Sequence, residues 1–129
     1  MKSYPTSCAI IAGSFPNPTD RSRMVQLFSN IIADLAEAGI VDFYVNIDTE
    51  PGRLAADRVA ALRKIFGELR LHTIYSRRRK HDPPLTDEQK HILTWSDEAL
   101  LLNIVGDRNA VIHRWMTAKA QTTLSIKGL

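Results

Sequence analysis

The sequence predicts an α/β domain of three layers, with a mainly parallel sheet of about five strands. Three observations carry this. Short apolar runs alternate with segments of helical period. The runs are apolar nearly throughout, as in strands covered on both faces. The chain has 129 residues, the size of one domain, so residues 1–129 are read as a single unit.

The elements follow in order. Cys8 to Gly13 (CAIIAG) reads as a strand buried on both faces, followed by a loop with Pro16, Pro18, Thr19 and Asp20. Met24, Leu27, Phe28, Ile31, Ile32 and Leu35 recur at helical steps, and Gly39 suits the helix C-cap. Val41 to Ile47 is a second strand, and Asp48 to Gly52 a turn cluster. A second helix spans about Arg53 to Leu69, with Val59, Leu62, Phe66 and Leu69 inward. Leu71 to Tyr75 is a weaker strand. Ser76 to Leu85 is a basic, proline-ended loop. Thr86 and Gln89 have capping-box spacing and open a helix that reaches Trp95. Ala99 to Val105 is a fourth strand stopped by Gly106. Asn109 to Ala120 is a helix, and Thr122 to Ile126 a last strand.

Strict alternation with right-handed crossovers puts every strand-to-helix loop at one edge of the sheet, where such folds bind ligands. The first strand, Cys8 to Gly13, is expected at the centre. The loops at that edge are Gly13 to Arg23, Asp48 to Arg53, Ser76 to Leu85 and Gly106 to Asn109.

Composition bounds the partners. The chain is 44% hydrophobic and 24% charged, which argues against disorder. Its one cysteine, Cys8, permits no internal disulfide and reads as a buried, inert thiol. No apolar stretch approaches a membrane span, and Met1 to Ser7 lacks the features of a signal peptide. The expectation is therefore a cytoplasmic protein with no membrane partner. A net charge of +3 mildly favours anionic ligands.

The first loop is the leading site candidate. Gly13 lets backbone approach an anion, Ser14 and Ser22 offer hydroxyls, and Arg21 and Arg23 offer guanidinium groups at a helix start. Asp20 opposes an anion there and otherwise caps the helix. The run Arg77, Arg78, Arg79 and Lys80 is either a solvated loop or a grip for a triphosphate or nucleic-acid backbone. His72, His81, His91 and His113 lack metal-ligand spacing, so no metal site is assigned. His113 qualifies as an acid or base only if it faces the loop edge. Asp48 reads as a turn residue.

The segment AIIAGSFPNPTDRSRM resembles the opening of the HIGH-type nucleotidyltransferases, the superfamily of small adenylyl- and cytidylyltransferases. Gly13, Ser14, Phe15 and Pro18 fit its glycine-hydroxyl-phenylalanine-proline turn with one residue inserted. Gly106 and Asp107 resemble its late glycine-aspartate turn, and Thr122, Thr123 and Ser125 its hydroxyl-rich phosphate motif. Asp20, Ser22 and Arg23 stand where the family carries its first histidine or threonine, its glycine and its final histidine. The resemblance thus implies a divergent member with a degenerate catalytic motif, whose activity stays open. It would bind a nucleotide or phosphorylated small molecule through Gly13, Ser14, Phe15, Arg21, Ser22, Gly106, Asp107, Thr122, Thr123 and Ser125. Arg23 and Asp20 would hold the catalytic positions. An active form would join a nucleoside triphosphate, with Mg²⁺, to a phosphorylated acceptor and release pyrophosphate.

GSFPNPTDRSRMVQLF is also similar to the first loop of flavodoxin-like FMN reductases, which implies an FMN phosphate on Gly13, Ser14, Arg21 and Ser22. A third reading is a non-catalytic protein- or RNA-interaction module acting through Arg77, Arg78, Arg79 and Lys80.

Overall fold

The computed structural model describes residues 5–13 and 21–126. Strands and helices alternate throughout: β1 (Ser7–Ala12), α1 (Arg21–Glu37), β2 (Asp42–Asn46), α2 (Glu50–Leu62), β3 (Arg70–Ser76), α3 (Asp87–Trp95), β4 (Glu98–Leu102), α4 (Arg108–Lys119) and β5 (Thr122–Ile126). All neighbouring strands pair in parallel, in the order β4-β3-β2-β1-β5. The domain is an α/β, Rossmann-like fold. Its order is neither the 2-1-3-4-5 of flavodoxin-like sheets nor the 3-2-1-4-5-6 of dinucleotide-binding ones.

The order decides how the layers fill. Three successive crossovers step from β1 to β2, β3 and β4 in one direction, so α1, α2 and α3 share a face and pack on one another. The fourth steps back over the sheet, and α4 lies alone on the other face against β1, β2 and β3. The middle strand is β2. β1, expected at the centre, lies between β2 and β5, because only one strand was added beyond it.

Side-chain alternation splits the core accordingly. Cys8, Ile10, Phe43, Val45 and Leu71 meet Met24, Phe28, Ile32, Leu54, Val59 and Ile92 on the three-helix side. Ala9 and Ile74 meet Ile112 and Met116 of α4 on the other. Met24, Phe28 and Ile32 are four residues apart, the spacing of one helix face. Gly39, at φ 106°, ends α1: its N–H reaches the Ala36 carbonyl, and the Ile40 N–H reaches that of Leu35.

Three boundaries differ from the sequence reading. β4 ends at Leu102 rather than at Val105, because β3, its neighbour, ends opposite it at Ser76, so Gly106 is not what stops the strand. α2 begins three residues before Arg53, because Thr49 caps it and Pro51 occupies its first turn. It ends at Leu62, so Phe66 lies in the following turn, its N–H bonded to the Leu62 carbonyl at 2.8 Å. The capping box of α3 forms as expected, with Thr86 and Gln89 exchanging bonds of 3.1 and 2.8 Å. Among the described residues, no helix is long and apolar enough to cross a membrane.

Candidate functional site

Parallel strands bring their carboxyl ends to one edge, and there β2, β3 and the start of α4 converge. Asn46 is the last residue of β2 and is only 1% exposed. Its Oδ1 accepts the Asp48 backbone N–H at 2.9 Å, which fixes the amide orientation. Its Nδ2 therefore donates, to Asn109 Oδ1 at 3.0 Å and to His113 Nε2 at 3.2 Å. Asn109 and His113 are one turn apart on α4, which puts both over the same strand end. Since His113 Nε2 accepts, the ring proton of neutral His113 is on Nδ1. Burial pushes the imidazole below its ordinary range, and the Asp107 carboxylate opposes this only in part.

Asp48 follows the same strand, with a side chain 9% exposed. Its Oδ2 accepts both the backbone N–H of Ser76 at 3.0 Å and the Ser76 hydroxyl at 2.6 Å. Its Oδ1 accepts from Arg78 Nη2. A carboxylate with three donors at this depth is a fastener of β2 to β3 rather than a free base. Arg78 Nε is buried without a partner among the described residues.

The basic loop folds onto this edge. Arg79 donates through its guanidinium to the Ile104 carbonyl and through its backbone N–H to Asp82. Asp82 also accepts from Arg108 in the first turn of α4. The Arg108 bond, helped by the Arg79 N–H, holds the Asp82 carboxyl below its usual range. Arg77 and Lys80 are exposed beside them. On the three-helix side the edge is closed by Arg53 and Gln89, both donating to the Ile47 carbonyl.

The sequence candidates are scattered over the fold. Ser14, Phe15 and Asp20 lie outside the described residues. Gly13 is at the carboxyl end of β1, its N–H bonded to the Ile126 carbonyl at 3.2 Å. Arg21, Ser22 and Arg23 form the exposed first turn of α1, and Arg21 pairs with Glu50 at 2.9 Å. Gly106, at φ 97°, and Asp107 turn the chain into α4; Asp107 caps that helix by accepting from the Ala110 N–H at 3.2 Å.

Thr122 starts β5 opposite Cys8, at the amino edge, whereas α1 follows the carboxyl end of β1. The structure therefore does not bring Thr122 to Arg23. Thr123 and Ser125 point to the α4 side, in register with Ala9 and Ile11, and are exposed. Asn46, Ser76 and Asn109 escaped the sequence reading. The available signal was Asn46, a polar residue near the end of the run Val41 to Ile47.

Asn46 and Ser76 spend their protons inside the cluster, so the donors left to a ligand are the Asn109 amide nitrogen and the His113 Nδ1–H, with Arg79 beside them. The cluster suits binding and orienting an anionic or polar ligand. The carboxylates here do not fit a Mg²⁺ site: Asp48 is committed to Ser76 and Arg78, and Asp82 to Arg79 and Arg108. Compared with known proteins, the chain matches no family model and no curated sequence.

Proposed function

We infer that the protein binds a phosphorylated small molecule or nucleotide at the carboxyl edge of its sheet, between the ends of β2 and β3 and the start of α4. The observation that carries this is the buried Asn46 amide, locked by Asp48, which occupies Asn109 Oδ1 and His113 Nε2 and so leaves the Asn109 amide nitrogen and the His113 Nδ1–H as the donors for a ligand. These donors lie at a parallel-sheet edge beside Arg79, whose guanidinium meets a carbonyl and, among the described residues, no carboxylate, and that charge favours an anion over a neutral ligand; Arg78 and Arg108 are paired with Asp48 and Asp82. Nucleotidyl transfer, the activity implied by the resemblance around Gly13, is the reaction to assay once a ligand is known.

The nucleic-acid reading draws less support. Arg78 is half-buried on Asp48 and Arg79, though exposed, is tied to the Ile104 carbonyl, which leaves Arg77 and Lys80 as the exposed cations with no bond inside the loop edge among the described residues.

Titration calorimetry with inorganic phosphate, nucleoside mono-, di- and triphosphates and FMN tests the reading. A ligand should bind with Kd below about 1 mM. Asn109→Ala should weaken it roughly ten- to a hundredfold, the worth of about 1.5–3 kcal/mol for a bond to a charged group. Arg70→Ala, at the amino edge and paired with Asp42, should leave it unchanged. Arg23→Ala decides whether the first turn of α1 shares the ligand. Failure of the whole panel to bind would refute the proposal.

A further inference from the structure

Leu101, at 52%, and Val105, at 95%, are large apolar side chains left exposed, and both lie on or just beyond β4. β4 is an edge strand whose neighbour is β3. Ala99 and Leu101 are in register with Thr73 and Tyr75, and Tyr75 packs on the three-helix side. They therefore point to that side, yet both are exposed, so α3 does not cover the strand. Leu100 and Leu102 point the other way, against the α4 cluster.

Edge strands are ordinarily protected by lysine, proline or a bulge. EALLL has neither lysine nor proline. Its one charge, Glu98, stands at the strand start with Oε1 3.1 Å from His72 Nδ1. The opposite edge, β5, differs: its outward positions Thr123 and Ser125 are polar.

We propose that β4 pairs antiparallel with β4 of a second copy of this chain, about a two-fold axis through Leu100, joining two five-stranded sheets into one. The strand is self-complementary in this register. Leu100 meets its own copy, Ala99 lies opposite Leu101, and Glu98 lies opposite Leu102. The exposed Leu101 of each chain thus covers the small Ala99 of the other, and the two Glu98 carboxylates stand at opposite ends of the pair. A two-fold axis requires such a patch to complement itself, and one strand with apolar positions on both faces does so.

Light scattering on the full chain across a concentration series tests this. A dimer is expected, and Leu101→Lys should weaken it at least tenfold while circular dichroism of the exposed-site variant stays unchanged. In a Cys8→Ser background, Leu100→Cys should form a disulfide-linked dimer on oxidation, because directly opposed residues lie about 4.5–5.5 Å apart between Cα atoms. Glu98→Cys should not, its mate being displaced by several residues. A monomer at every concentration overturns the proposal. So does a dimer that resists Leu101→Lys or gives no Leu100→Cys cross-link.

Discussion

Asn46 donates to His113 across 3.2 Å, and it has no freedom to do otherwise, because the Asp48 N–H holds its oxygen. A proton on His113 Nε2 would set two donors face to face. The site and the ionisation of this imidazole are thereby linked.

Stability should fall on mild acidification through His113. Its folded pKa lies below the 6.5 of the unfolded group, so the unfolded chain takes the proton first. The contribution is fully present above 6.5 and is lost as pH falls through the folded pKa. Urea midpoints measured from about pH 8 to about pH 5 should decline more in wild type than in His113→Gln. Equal slopes would show that the ring is not held neutral.

A second loss should appear at lower pH, at the other end of β2. Burial raises the Asp42 carboxyl, but hydrogen bonds from Arg70 and His72 outweigh it and set the folded pKa below 3.8. This contribution is present above 3.8 and disappears as pH falls through the folded value. Asp42→Asn should lower the urea midpoint at neutral pH and flatten the acid limb. An unchanged acid limb would remove Asp42 from the account.

Gly52 ties the fold to the site. A Cβ there would stand 1.7 Å from the Asn46 carbonyl oxygen and 2.9 Å from Thr49 Oγ1. Gly52→Ala should therefore destabilise by about 1–3 kcal/mol, as overpacking does, and also displace Asn46. Thermal melting and amide chemical shifts of Asn46 and Asn109 report the two effects. A variant as stable as wild type, with unmoved shifts, would contradict this packing.

Phe28 is 1% exposed in the three-helix core, whereas Leu62 is partly buried at the end of α2. Phe28→Ala should cost about 3–5 kcal/mol in urea unfolding, and Leu62→Ala clearly less. Equal losses would mean that the α2 terminus is more enclosed than described.

The fold was legible because strand and helix periods are local. CAIIAG, VDFYVNI and ALLLNIV each announced a strand, and Thr86 with Gln89 announced a helix. Strand order was not legible, since nothing local to β5 says that it docks on β1. The site was legible only as an edge. Asp48 looks like a turn residue until Ser76 and Arg78, 28 and 30 positions later, supply its donors. His113 becomes a site residue only through Asn46, 67 positions away. The run Arg77 to Lys80 reads as one charged patch, but Arg78 is withdrawn onto Asp48 while Arg77, Arg79 and Lys80 stay exposed.

The pairing of β5 with β1 also has a consequence for how the chain is made. The Gln121 N–H bonds to the Ser7 hydroxyl, a separation of 114 positions. On the ribosome, the outer flank of β1 stays without its neighbour until nearly the whole domain has emerged. A chain stalled before Thr122 would carry Cys8 to Ile11, four consecutive apolar residues, on an open border. Until β5 docks, that border is open to pairing with other strands, and β5 is the strand that seals it.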